Sequence, residues 1–212
     1  MKRLFVLMAV LVAASAPAFT ANLIQNGDFA TDVSGWTFWT ERGSNTLFTW
    51  ENGQAKFWGT GFNGGIWQTF ATTPGVVYQI SGWAKYTYSG GANQSTWSEV
   101  LIGTSAPVQG QDYNANTPGA ILCAKQTTNS SAMVLWEKQF SEWDYMPPVL
   151  QFTATSTATT IVIKHGNTTG STKTGLYVDN IVVEAVPEPA SLLALATGLT
   201  GLVGVSLRRR QG

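Results

Sequence analysis

Val77-Tyr78-Gln79-Ile80-Ser81-Gly82-Trp83-Ala84-Lys85-Tyr86 decides the fold class. Its even positions carry Tyr78, Ile80, Ala84 and Tyr86, and its odd positions carry Gln79, Ser81, Trp83 and Lys85. A period of two belongs to a strand with one face on a core and the other in water. The even face is therefore the core face. Just upstream, Ile66 and Phe70 share one side of a second strand, while Trp67 and Thr69 share the other. Thr73-Pro74-Gly75 between the two reads as a hairpin connection. This predicts that Trp67 and Trp83 stand on adjacent antiparallel strands and on the solvent side of one sheet.

Outward from this stretch the pattern repeats. Runs rich in Val, Ile, Thr, Tyr, Phe and Trp alternate with Gly, Asn, Ser and Pro clusters, as in an antiparallel β-sandwich or barrel. The alternation predicts strands over 22–29, 36–40, 46–50, 54–59, 65–72, 76–88, 97–103, 120–125, 132–140, 149–155, 159–165 and 175–184. Residues 104–119 and 141–148 read as loops. The body, 22–185, shows no internal repeat and no domain boundary, and its length suits one all-β domain with a real core.

The two ends are of another kind. Lys2-Arg3, the apolar run Leu4 to Ala14 and the small residues Ala16-Pro17-Ala18 read as a signal peptide, cleaved after Ala18 or as late as Ala21. At the other end, Pro187-Glu188-Pro189 precedes 18 residues without a charge, Ala190 to Leu207, and then Arg208-Arg209-Arg210. As a helix that run reaches about 27 Å, close to the hydrocarbon thickness of a bilayer. The prolines bar the helix from running upstream, and the arginines hold the C-terminus on the cytoplasmic side. The body is then exported.

In this order, Pro187-Glu188-Pro189, a short apolar helix and a terminal arginine cluster resemble the PEP-CTERM sorting signal of Gram-negative, exopolysaccharide-producing bacteria. The resemblance covers 186–212. It implies recognition of Pro187, Glu188 and Pro189 by an exosortase, removal of the helix, and delivery to the cell surface or matrix. A simple retained membrane anchor is the other reading of the same segment.

Without the targeting segments, 7 basic residues face 11 acidic ones. A body of net negative charge with no basic run excludes nucleic acid and anionic lipid surfaces as partners. Cys123 is the only cysteine, which forbids an intramolecular disulfide and reads as a small buried hydrophobe. The single histidine, His165, has no nucleophile or Gly-x-Ser-x-Gly elbow near it and reads as a satisfied structural side chain. Glu137, Glu142 and Asp144 are the carboxylates a small hydrolase would need to converge in a cleft. No His or Cys cluster suggests zinc, and no Gly-rich strand-to-helix loop suggests phosphate. The sequons at Asn93, Asn129 and Asn167 carry no weight in a bacterial chain.

A second resemblance spans the body. Asn22-Leu23-Ile24-Gln25-Asn26-Gly27-Asp28-Phe29, then Gly35-Trp36, Gln68-Thr69-Phe70, Pro74-Gly75 with the strand after it, Trp136, Phe152-Thr153-Ala154 and Tyr177-Val178-Asp179-Asn180-Ile181 resemble the galactose-binding-like jelly-roll carbohydrate-binding modules of cellulases and xylanases. The resemblance implies a jelly roll, no catalysis, a polysaccharide partner and a structural calcium. The calcium candidates are Asn26, Asp28 and Asp179, although Ala30 stands where the family carries a glutamate; turn capping is the competing role for Asp28. All 9 tryptophans lie in the body. Sugars stack C–H faces on aromatic rings and need polar groups nearby, so Trp67 and Trp83 with Gln79 and Lys85 form the candidate platform, and burial in the core is the competing role for both rings. Trp39, Trp58, Trp97 and Trp143 receive no assignment. The expectation is an exported, non-catalytic polysaccharide-associated sandwich. A purely structural matrix protein with protein contacts is the alternative, and a small hydrolase the third.

Overall fold

The computed structural model describes residues 21–89, 95–128, 135–145, 150–168 and 173–187. The signal-peptide and apolar-run expectations, with Glu188, Pro189 and the three arginines, fall outside these residues. No described helix is long and apolar enough to cross a membrane.

Among the described residues, nine strands form one antiparallel sheet: β1 (Thr37–Glu51), β2 (Gln54–Ala71), β3 (Val77–Ser89), β4 (Thr96–Gly103), β5 (Ile121–Thr128), β6 (Glu137–Gln139), β7 (Gln151–Thr153), β8 (Ala158–Asn167) and β9 (Lys173–Ala185). Their order is β5-β4-β8-β2-β9-β3-β6, with β1 on β2 and β7 on β3. The sheet curls because its longest hairpin bends. Asn52 and Gly53 both take positive φ, 53° and 78°, which is the backbone of a type I′ turn whose twist matches the strands it joins. Beyond that turn, β2 pairs through 55–60 with β9 and through 63–71 with β8. Gly61, at φ 54°, turns the corner between the two parts, and β1 follows with register shifts between Thr40 and Leu47.

The result is a half-barrel, consistent with a β-sandwich, whose two halves face each other. One half is β5, β4, β8 and the later part of β2; the other is the earlier part of β2 with β9, β3, β6 and β7. A single core lies between them. Ile66, Val100, Ile161 and Ile163 from the first half and Phe57, Ile80, Tyr86 and Val178 from the second are all at most 1 % exposed. Each such side chain stabilises the fold by about 1.5–3 kcal/mol relative to exposure.

The alternation of Tyr78, Ile80, Ala84 and Tyr86 toward the core holds, as does that of Ile66 and Phe70. The pairing of their strands does not. Thr73-Pro74-Gly75 closes no hairpin: Val76 N–H donates to Thr73 O and Gly75 has φ 85°, the pattern of a type II turn. Type II turns splay strands, and this one carries the chain from one half to the other, with β9 lying between β2 and β3. Three smaller corrections follow from backbone geometry. Residues 24–29 are a turn rather than a strand, with Asn26 and Phe29 at φ 51° and 44°. The expected pairs 36–40 with 46–50, and 54–59 with 65–72, are each one bent strand. The 141–148 loop begins as a single 3-10 turn, Phe140–Glu142.

Candidate functional site

The outer face of the second half sets aromatic and charged side chains side by side. Alternation along three neighbouring strands puts Lys56 and Trp58 of β2, Lys173, Gly175, Tyr177 and Asp179 of β9, and Trp83 and Lys85 of β3 on this side, opposite the buried Phe57, Leu176, Val178, Ala84 and Tyr86. Register then sets their neighbours: Lys56 faces Tyr177, Trp58 faces Gly175, Tyr177 faces Lys85 and Asp179 faces Trp83. Trp58, Tyr177 and Trp83 therefore form a diagonal across three strands, each step about 7–8 Å. All three rings are half-buried. Gly175 lets Trp58 pack closely against β9, since a Cβ there would lie 2.2 Å from Phe57 O and 2.3 Å from Trp58 Cβ.

Polar groups interleave with the rings. Lys56 Nζ lies 4.6 Å from the centre of Trp58 and 4.7 Å from that of Tyr177, and Lys173 Nζ lies 5.3 Å from Trp58. Lys56 also donates to Glu51 Oε2 at 2.9 Å, and Tyr177 OH donates to Glu51 Oε1 at 2.8 Å. Hydrogen bonds from Lys56 and Tyr177 hold the Glu51 carboxyl below the usual range. Burial pushes the Lys56 ammonium down, but its Tyr177 and Glu51 contacts outweigh this and leave it raised.

Of the residues singled out from sequence, Trp83 and Lys85 lie on this face. Gln79 is on the same strand four residues from Trp83, beyond a register shift, between Glu184 and Gln151. Trp67 is not on it at all. Trp67 points outward from the first half, where it packs on Trp39, Leu101, Tyr113 and Val162. The pair expected to form one aromatic surface is on two different sides of the molecule, because the Pro74-Gly75 turn changes layers. Trp58 and Tyr177 were missed. Their alternation in Lys56-Phe57-Trp58 and Leu176-Tyr177-Val178-Asp179 showed which side they take, but nothing local shows that β9 lies between β2 and β3.

The calcium candidates separate as well. Asp28 and Asp179 come together because the N-terminal turn hydrogen-bonds to β9, with Ile181 N–H donating to Gly27 O at 2.8 Å. Burial, and after it the charge of Asp28, raises the Asp179 carboxyl, although a hydrogen bond from Asn180 N–H opposes them. Asn26 turns away: its Nδ2 donates to Asp32 O, Asp32 Oδ1 and Ser34 O, stapling its own loop. The carbonyls of Asn26, Gly27 and Phe29 already accept from Trp36 Nε1, Ile181 N and Trp50 Nε1. Calcium takes 6–8 oxygens, and no group of three or more metal-ligating His, Cys, Asp or Glu exists among the described residues. Of the expected calcium set, Asp28 and Asp179 stand together, while the Asn26 side-chain amide is engaged within its own loop.

The remaining titratable groups are structural. His165 is fully buried between Ser98 Oγ on Nδ1, at 3.0 Å, and Thr174 Oγ1 on Nε2, at 2.9 Å, and burial pushes its pKa down to about 3. Burial pushes the Cys123 thiol up to about 12. Glu142 accepts from Gln139 N–H at 2.7 Å to cap its own turn, and Asp144 accepts from Gln126 Nε2 at 2.6 Å. Glu137 sits on β6 opposite Lys85.

Comparison with known proteins bears on the body and the C-terminus separately. The fold is similar to the CBM22-1 xylan-binding domain of Paenibacillus barcinonensis Xyn10C, at 13% identity and a TM-score of 0.42 over 82% of this chain and 100% of that one. It is also similar to a family 61 carbohydrate-binding module solved with β-1,4-galactotriose, at 13% identity and a TM-score of 0.40 over 79% and 100%. A family 4 module gives 16% identity and a TM-score of 0.40 over 77% and 99%. Comparison with curated proteins gave no match. At the C-terminus, a family model matches residues 185–210. That stretch holds Pro187, Glu188, Pro189, the apolar run and the three arginines, and it indicates an exported, membrane-anchored precursor processed by an exosortase. Residues 185–210 are a PEP-CTERM protein-sorting motif.

Proposed function

We propose that this protein is a non-catalytic, surface-displayed jelly-roll domain that binds polysaccharide through the outer face of β2, β9 and β3. The cell surface or matrix of a Gram-negative bacterium, and its exopolysaccharide, are the setting that the sorting motif suggests. The observation that carries the reading is the Trp58–Tyr177–Trp83 diagonal with ammonium and carboxylate groups beside its rings. An extended glycan laid across three strands meets apolar ring surface at each step and hydrogen-bonding partners beside it.

The test is retention of the full chain by a panel of immobilised polysaccharides. Replacing Trp58, Tyr177 or Trp83 by alanine is expected to weaken retention by one to two orders of magnitude, on a scale of about 1–3 kcal/mol for an interface aromatic. Retention unchanged in all three variants, or a parent retained by none of the panel, refutes the reading.

A further inference from the structure

Seven lysines and arginines lie in the body, and five of them, Arg42, Lys56, Lys125, Lys138 and Lys164, are within ion-pair distance of a carboxylate. The other two, Lys85 and Lys173, have no such partner among the described residues, and both stand on the outer face of β9 and β3. Resting on the carbohydrate reading of this face, we infer that its ligand is an acidic polysaccharide, one whose sugars carry carboxylates.

The positions of the lysines support this. Lys85 faces Tyr177 and Lys173 faces Thr60, so the two sit at either end of the stretch holding Tyr177, Gly175 and Trp58. Lys173 and Tyr177 are four residues apart on one strand, about 13 Å. That span suits carboxylates repeated along a chain rather than a single anion. Lys173 is held over the Trp58 ring, and Lys56 stands between Trp58 and Tyr177. These cations are positioned by aromatic faces, which lowers the entropy lost when they pair with a ligand.

The register adds a second point. Lys56 approaches Trp58 from two residues before it, and Lys173 from beside Thr60, two residues after it. Ammonium groups from both sides thus stand over the ring. A neutral sugar would have to push them aside to stack on Trp58, whereas a sugar carboxylate pairs with them and lets its own ring lie against Trp83. Glu51, Asp179, Glu137 and, at the Gln79 end, Glu184 are the carboxylates on or beside this face. Glu51 is held by Lys56 and Tyr177, and Asp179 lies toward the Asp28 end and accepts from Asn180 N–H. Glu137 is across from Lys85 at the rim and makes no ion pair with it within 4.0 Å. In a body carrying more acid than base, cations left unpaired beside the aromatic diagonal select anions by electrostatic complementarity.

The experiment is calorimetric titration of the purified full chain with polygalacturonate and with the same polymer after reduction of its carboxyls to neutral hydroxymethyl groups. The expected result is binding of the acidic form at least tenfold tighter than the reduced form, weakening as salt is raised. Replacing Lys85 and Lys173 together by glutamine is expected to reduce binding of the acidic polymer about tenfold more than that of the reduced form and to leave the melting temperature unchanged. Equal binding of the two polymers, or no effect of the double replacement on the acidic one, overturns the inference. If neutral polysaccharides alone are retained, through Trp58 and Trp83, the carbohydrate reading stands and this inference falls. If no polysaccharide of either kind binds, both fall.

Discussion

The two outer faces of this half-barrel are built from the same alternation and end up opposite in character. On the first half, the loop after β4 is fastened down over the sheet. Trp39 Nε1 donates to Val108 O and Gln111 O, Gly110 N–H donates to Thr40 O, and Tyr113 is 3 % exposed against Trp39, Leu101 and Val162. Lys164, 2 % exposed, donates to Asp112 Oδ1 at 2.6 Å and to Tyr113 O at 3.0 Å, with Glu99 Oε2 at 3.7 Å. On the second half, the rings and lysines of β2, β9 and β3 stay half-buried or exposed. An outward tryptophan is therefore core on one side and surface on the other. What decides between them is whether a loop covers the face, and a buried cation such as Lys164 is the mark of the covered one, because it is tolerable only with its partners in place.

The largest effect is expected from breaking the sealed side. Lys164→Ala leaves Asp112 and Glu99 without their shared cation and should cost about 3–5 kcal/mol of folding stability, measured by denaturant melts. Amide exchange across 105–117 should rise with it. A cost below about 1 kcal/mol would mean that the loop is not held by this ion pair.

Next in size is the contrast between the tryptophans. Trp67→Ala opens a cavity against Trp39, Leu101, Tyr113 and Val162 and should cost about 3 kcal/mol, the lower end for deletion of a buried aromatic, because Trp67 is only partly buried. Trp58→Ala removes a ring from the open face and should cost under about 1 kcal/mol. Equal thermal shifts in the two variants would erase the distinction between the faces.

Acid should loosen the core that both faces share. His165 titrates near 6.5 when unfolded and at about 3 when folded, because burial disfavours its charged form. Its contribution is fully present above about pH 6.5 and is lost as pH falls toward 3, at about 1.4 kcal/mol per pH unit. Asp112 acts in the same sense lower down. Burial raises its carboxyl, but hydrogen bonds from Lys164 and Asn114 outweigh that and hold it below 3.8, so its contribution is present above that pH and fades beneath it. His165→Gln should flatten the slope between pH 6 and 4, and a slope that persists would exclude His165 as its source.

The smallest effect concerns the Asp28–Asp179 pair at the end of the open face. With two carboxylates meeting there and no group of three metal-ligating His, Cys, Asp or Glu among the described residues, a chelator should leave the melting temperature within about 1 °C, and a larger drop would show a bound cation.

How far the sequence reads out depends on the range of each interaction. The inward faces of β2 and β3 were legible because a pleated strand gives its side-chain direction from period alone, and Tyr78, Ile80, Ala84, Ile66 and Phe70 all point where alternation puts them. The Asn52-Gly53 turn is equally local, since its two positive φ values suit those residue types, although only the strands on either side of it were anticipated. The Pro74-Gly75 turn was misread because it is as tight as a hairpin while its twist sends the next strand elsewhere. His165 and Cys123 were legible as structural residues, each lacking the companions that chemistry needs.

The residues themselves determined the all-β class, the direction of each side chain along its strand, and the C-terminal sorting motif, because each of these is written within a few neighbouring positions. Only the tertiary structure decided which strands adjoin. Placing β9 between β2 and β3 aligned Trp58, Tyr177 and Trp83 and sent Trp67 to the other side, and the loop after β4 sealed that side. Strand neighbours and loop cover are contacts between residues up to a hundred or more positions apart, chosen by which arrangement buries the most apolar surface while pairing Lys164 and His165. No local pattern encodes that choice.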